Sequence, residues 1–200
     1  MPVYILVHGG RQTGKVWDKV APLLEEKGCR VFCPTLSDPE ERTLQDHIDE
    51  VCHLIKEENL NHVILVGHSY AGLVITGVAN KMPEKLSYLV YLDAAIPENG
   101  KSLFDLINAT GFDAQDFYHV EPLSRFTTPI YFEALRIKRI PKIYILCKQS
   151  EFINVTKEMA QKVLDSPKDE NWTLLEMNSS HSPMEEHPQE LTDLLLKIKA

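Results

Sequence analysis

Short apolar runs alternate with longer amphipathic stretches along the whole chain. Val3–Val7 is a continuous apolar run of strand length, and residues 30–33 form a second, shorter one. Between them Val16, Trp17, Val20, Leu23 and Leu24 recur at helical spacing. Leu44, Ile48, Val51 and Ile55 repeat that spacing behind Thr43, a residue type suited to an N-cap. Residues 62–66 predict a strand, and the small and apolar residues after Ser69 predict a buried helix. Leu86–Leu92 and residues 143–147 predict further strands. Met159, Val163 and Leu164 suit a helix, residues 172–175 a last strand, and Leu191, Leu194, Leu195 and Ile198 a final amphipathic helix.

This alternation predicts an α/β fold: a mostly parallel sheet of about six strands with helices on both faces. The stretch at about 97–140 has helical pieces and turn residues but no clear strand. It is expected to be a small helical cap inserted into a single domain spanning 1–200.

Composition changes this picture little. A chain of 200 residues, 44% hydrophobic and 25% charged, can bury one substantial core. A net charge of -8 with dispersed acidic residues disfavours nucleic acid or an anionic membrane as partner. No run approaches the length of an apolar span, and MPVYILVHGG lacks the features of a signal peptide. Cys29, Cys33, Cys52 and Cys147 are expected to be reduced thiols in a cytoplasmic protein. Cys29 and Cys33 have no second pair downstream, so no metal site is expected.

The chemistry concentrates at strand ends. Val63 to Gly72 reads VILVGHSYAG: a β-branched run, a sharp turn at Ser69, then a helix. Gly67 allows the tight turn, while Ala71 stands where a second glycine is usual. A serine hydroxyl needs a base to take its proton and a carboxylate to orient that base. His181 lies in a polar loop between the last strand and the last helix, where such a base belongs. His8-Gly9-Gly10 follows the first strand, and the main-chain amides of Gly10 and Tyr70 are the expected oxyanion donors. His8 and His68 are expected to be structural.

The chain resembles the α/β-hydrolase superfamily, in the branch of plant methylesterases, hydroxynitrile lyases and related bacterial esterases. The stretches that carry this are VYILVHGG, VILVGHSYAGLV, YLVYLDAAIPENGKSL, PLSRFTTP, RIPKIYILC and SSHSPMEEHPQEL, in order along nearly the whole chain. The resemblance implies a triad in the order serine, acid, histidine and an ester-cleaving activity without cofactor. It also implies a larger cap than this one. In that branch the acid usually follows the strand before the last, where Ser150 stands and Glu151 is adjacent. Haloalkane dehalogenase relatives instead place it where Asp93 stands. An Asp after five apolar residues should be interior and in need of a partner, which favours Asp93 over Glu151. Similar hydroxynitrile lyases have a lysine after the base and a threonine in the oxyanion loop. Here Ser182 and Gly9 take those places, so hydrolysis is expected rather than cyanohydrin cleavage.

Two other readings compete. Gly9 to Lys15 fits G-x-x-x-x-G-K, but Val16 has no hydroxyl for Mg²⁺, which speaks against a nucleotide site. A slow or non-catalytic small-molecule receptor on the same scaffold is the alternative function, because fold does not settle chemistry. Met159, Met177 and Met184 are expected to be packing residues, and Glu185, Glu186 and His187 a solvated helix start. The expected partner is a small-molecule ester.

Overall fold

A computed structural model describes residues 1–37, 42–114 and 123–198. Its centre is a six-stranded, wholly parallel sheet in the order β2-β1-β3-β4-β5-β6. The strands are β1 (Val3–Val7), β2 (Arg30–Phe32), β3 (Val63–His68), β4 (Leu86–Leu92), β5 (Lys142–Cys147) and β6 (Trp172–Met177). The main helices are α1 (Ala21–Glu26), α2 (Leu44–Glu57) and α3 (Ala71–Lys81). After β4 come α4 (Leu103–Asn108), α5 (Ser124–Thr127) and α6 (Ala134–Ile137). Next are α7 (Ile153–Asp165), α8 (Pro183–Glu186) and α9 (Pro188–Leu196).

Side chains alternate along each strand, and the alternation builds two cores. Ile5, Val7, Val63, Leu65, Leu89, Tyr91, Tyr144 and Leu146 face α2, α3 and α7. Tyr4, Leu6, Ile64, Val66, Val90, Leu92, Ile143 and Ile145 face the other way, against Trp17, Leu24, Met184, Leu191 and Leu195. Both faces are therefore covered, as parallel strands require. In α3 every residue from Ala71 to Ala79 is buried, so this helix has no polar face. Only α2 and α4, of the elements named, begin with a capping box. At α2 the Thr43 hydroxyl accepts the Asp46 amide at 3.2 Å and Asp46 accepts the Thr43 amide at 2.8 Å.

Most differences from the sequence reading lie at element ends. The helical spacing of Val16 to Leu24 is broken into a 3₁₀ turn, Gly14–Trp17, and a short α1 that starts beside Pro22. β2 stops at Phe32, leaving the half-buried Cys33 beyond it. β3 begins at Val63, because His62 takes a left-handed turn with φ 55°. β5 gains Lys142 and β6 runs on to Met177. Glu185 and Glu186 belong to the separate turn α8, and the last helix starts at Pro188. Among the described residues, the segment between β4 and β5 holds three short helices and an isolated antiparallel bridge, Lys101 with Ile130. Residues 115–122 of that segment lie outside the described residues.

The strand order puts the site in place. From β1 the chain moves outward to β2, then crosses back so that β3 lies on the other side of β1. Loops leaving β1 and β3 therefore diverge at this reversal, where open α/β sheets form ligand crevices at their carboxyl ends. The start of α3 is packed so closely on the segment after β4 that a Cβ on Gly72 would overlap the Ala95 carbonyl oxygen. Gly72→Ala should cost about 2 kcal/mol or more through overpacking. For a chain of this size the melting temperature should then fall by about 4–8 °C in a thermal scan. An unchanged melting temperature would contradict this packing.

Candidate active site

Ser69 is the first residue past β3 and is held with φ 55°, in the left-handed region. Three main-chain hydrogen bonds fix it there. Its amide donates to the Leu92 carbonyl at 3.2 Å, and its carbonyl accepts the amides of Gly72 at 3.1 Å and Ala95 at 3.2 Å. Asp93, one residue past the neighbouring β4, is also left-handed, with φ 42°, and so is Arg11 in the loop after β1, with φ 61°. Such conformations cost about 1–3 kcal/mol each and persist only where surrounding bonds dictate them. Three of the six non-glycine residues with positive φ among the described residues thus lie at adjoining strand ends.

Asp93 is 1% exposed. Its Oδ1 accepts the Cys147 amide at 3.1 Å, at the end of β5, and its Oδ2 lies 2.7 Å from His181 Nδ1. A carboxylate accepts, so Nδ1 carries the proton and the Nε2 lone pair of the neutral ring stays available to take another. Ser69, Asp93 and His181 all line one cavity of about 30 Å³. A hydroxyl beside such an imidazole is the arrangement that makes serine nucleophilic.

Glu151 takes a different place. Its carboxylate accepts the main-chain amide of His181 at 3.2 Å. Ser150 Oγ accepts the Phe152 amide at 3.1 Å, at the start of α7. The His181 carbonyl accepts His68 Nε2–H at 2.8 Å. His181 is therefore held through its amide, its carbonyl and its ring. The Phe152 ring stands edge-on to the imidazole at 4.4 Å.

The loop after β1 leans directly on Ser69. A Cβ on Gly9 would stand 3.1 Å from Ser69 Cβ, 3.0 Å from His68 Nδ1 and 2.9 Å from Gln12 Oε1. Threonine would be crowded there. The Gly9 amide donates to Gln12 Oε1 at 3.0 Å, so it is already engaged. Gly10 follows, with Tyr70 Cβ 3.7 Å from where its own Cβ would be. His8 fixes this loop: its Nε2 accepts the Leu36 amide at 3.0 Å, and its Nδ1–H donates to the Gly9 carbonyl at 2.7 Å.

Two buried histidines brace the site. His47 Nε2–H donates to the Ser37 carbonyl at 2.8 Å and its Nδ1 accepts the Tyr70 hydroxyl at 3.0 Å. Ser37 is in turn tied to Glu50 on α2 through its amide and hydroxyl. Burial holds the His47 pKa below the ordinary histidine value. Burial and the facing His181 hold that of His68 well below it. Sequence reading missed this bracing by His47, Ser37 and Glu50, and also missed Gln12 and Phe152, because nothing in their local sequence signals a contact with the elbow. Met159 packs in the hydrophobic core, and it also forms part of the wall of the cavity that Ser69 and His181 share.

Among the described residues, no group of three or more His, Cys, Asp or Glu side chains is placed to hold a metal ion, and no helix is long and apolar enough to cross a membrane. All four cysteines are free thiols.

The sequence profile of the Alpha/beta hydrolase family matches residues 4–194. A carbendazim hydrolyzing esterase of Nocardioides sp. (strain SG-4G) is 44% identical over 115 residues, which cover 54% of this chain and 48% of that protein. This match thus spans about half of that relative's length. Methylesterase 1 of Arabidopsis thaliana is 25% identical over 252 residues, covering 98% of this chain and 95% of the relative. Among solved structures, an extracellular alpha/beta-hydrolase from a Paenibacillus species superposes with a TM-score of 0.79 at 20% identity, over 98% of each chain. A pyrethroid hydrolase from Sphingobium faniae gives 0.78 at 21% identity, over 98% of this chain and 96% of that one. At these identities the structural matches establish the shared fold.

The two bracing histidines make stability depend on pH. In the folded chain each takes up its proton only at lower pH than in the unfolded chain, where it does so near the ordinary pKa of about 6.5. Below that value the unfolded state holds more protons, so stability falls as pH falls. The fall is at most about 1.4 kcal/mol per pH unit for each histidine. Urea midpoints should therefore drop between pH 7 and pH 5.5, and drop less steeply in His47→Gln. An equal slope in that variant would remove His47 from this account.

Proposed function

The chain belongs to the α/β-hydrolase family, and from that premise we propose that it is a serine hydrolase that cleaves carboxylic esters of small molecules through an acyl-enzyme. The carrying observation is the 2.7 Å hydrogen bond between Asp93 and His181 Nδ1. It leaves Nε2 as a base in the cavity that Ser69 lines. Ser69 is the nucleophile, His181 the general base and then acid, and Asp93 the carboxylate that orients the ring and stabilises the imidazolium. Glu151 is a positioning residue for the loop that carries His181.

Ser69 Oγ attacks the ester carbonyl carbon as its proton passes to His181 Nε2. The carbonyl oxygen becomes negative and is held by the main-chain amides of Gly10 and Tyr70. The intermediate collapses, the carbon–oxygen bond to the alcohol breaks, and His181 protonates the departing oxygen. Water then loses a proton to His181 as it attacks the acyl carbon, and Ser69 is released with its hydroxyl restored. The protein's own part in these steps is played by side chains and main-chain amides. Relatives named as a carbendazim-hydrolysing esterase, a methylesterase and a pyrethroid hydrolase support small-molecule esters as the substrate class. The helices between β4 and β5 act as the cap over this site. Four free thiols fit the reducing conditions of the cytoplasm.

Hydrolysis of 4-nitrophenyl acetate is the direct test. Ser69→Ala should lose about a thousandfold or more in kcat, and should also lose the covalent adduct that a fluorophosphonate forms with the unmodified chain. Asp93→Asn should lose about 10³–10⁴-fold in kcat, because the wrong imidazole tautomer is then favoured. Glu151→Gln, which keeps an acceptor near the His181 amide, should stay within about tenfold. Full activity in Asp93→Asn would overturn the assignment of the acid.

A further inference from the structure

The cavity at Ser69 and His181 is too small for most acyl chains. Its volume of about 30 Å³ leaves room for about one or two water molecules. A larger crevice of about 340 Å³, in the size range of pockets that hold small molecules, lies further along the same elements and reaches Lys142 and Trp172 at the starts of β5 and β6. The two spaces follow one another along α7. Val155, Thr156 and Met159 line the first, and Lys162, Val163 and Ser166 line the second. They also follow one another along the chain leaving β4, where Ala95 lines the first and Ile96 and Pro97 the second.

The partition stands where these two segments meet. The Tyr144 hydroxyl is within hydrogen-bond distance of the Ala94 carbonyl, at 3.0 Å, and of the Thr156 carbonyl, at 3.3 Å. Beside it the Ile96 amide donates to Met159 Sδ at 3.4 Å. A thioether is a weak acceptor, and methionine has three rotatable side-chain bonds. Met159 is thus the part of the partition that can swing aside while Tyr144 keeps the main chains together.

The lining of the crevice selects what it can hold. The rings of Tyr91 and Trp172 lie against each other at 5.2 Å, and Phe132, Leu135 and Val163 add apolar wall. The cations around it are engaged. The Lys142 ammonium gives its three protons to the carbonyls of Lys138, Ile140 and Glu170, Lys138 pairs with Asp169, and Lys162 pairs with Glu98. The Thr76 hydroxyl donates to the Gly72 carbonyl at 2.8 Å and accepts from Tyr91 at 2.7 Å. The surface therefore suits a neutral apolar chain and offers an anion no unengaged lysine.

We propose that the crevice is the distal part of the substrate site, that it takes the apolar acyl arm of longer esters, and that Met159 is the movable plug between it and Ser69. The inference rests on the hydrolase reading above. The acyl arm is assigned to the crevice for a mechanistic reason. The alcohol must leave and water must take its place, so that side stays open to solvent. The acyl group remains bonded to Ser69 throughout and benefits from a sheltered space.

The test is the ratio of kcat/KM for 4-nitrophenyl hexanoate to that for 4-nitrophenyl acetate, read on one preparation so that partial unfolding cancels. In Met159→Ala the ratio should rise by about tenfold or more, each buried methylene being worth about fourfold. In Met159→Leu, which conserves volume, it should stay within about threefold of the unmodified chain. Ala134 is exposed and lines the crevice. Ala134→Trp should therefore block the space without disturbing the core. It should cancel the gain in the Met159→Ala background, and alone it should lower the ratio by about threefold or more, at about fourfold per excluded methylene. An unchanged ratio in Met159→Ala, or a gain that Ala134→Trp leaves in place, overturns the inference while the hydrolase reading stands. Absence of acetate hydrolysis and of serine labelling in the unmodified chain overturns both.

Discussion

The architecture around the site depends on one buried charge. Asp93 is 1% exposed, and a carboxylate in such a place is costly unless its oxygens are met by donors. One donor is the Cys147 amide at the end of β5, and the other is the His181 ring in the loop after β6. Satisfying this one group therefore fixes the ends of three neighbouring strands relative to one another. Its left-handed backbone, with φ 42°, is held by the Asp93 amide on the Ile145 carbonyl at 2.8 Å.

The other half of the site is held to the first through main-chain bonds. The Ser69 amide and carbonyl reach the segment around Asp93, at Leu92 and Ala95. His68, directly before Ser69, donates to the carbonyl of His181. His8 fixes Gly9, and His47 fixes the Tyr70 side chain. These three histidines act through hydrogen bonds. For His47 and His68, burial favours the neutral ring that such bonding uses. The proposed chemistry is thus confined to His181, the histidine that lines the cavity with Ser69.

Space along α7 is distributed unevenly, with a narrow cavity at Ser69 and a wider, mostly apolar crevice further along the helix. The sheet face over β5 and β6 is covered by α7, while α6, a helix of only four residues, packs against α3 and carries the 82% exposed Leu135. The connection between β4 and β5 lines both spaces, through Leu103, Leu106 and Ile107 at the narrow one and Phe132, Leu135 and Ile137 at the wider one.

The sequence by itself determined the strand and helix order, the parallel sheet, and the elbow at Ser69, because these rest on local periodicity and turn chemistry. It also narrowed the carboxylate near His181 to Asp93 or Glu151 and placed the loop with Gly10 after the first strand. Element ends shifted where local geometry intervened, as at Pro22 and at the left-handed His62. Only the tertiary structure decided which carboxylate meets the ring and which meets the amide of His181. Those contacts join residues 88 and 30 positions apart, and a one-residue difference at a strand end changes where a side chain points. The bracing by His47 and the position of Met159 between two spaces were decided in the same way. Both depend on how α2 and α7 pack on the sheet, and no local pattern in the chain encodes that distance.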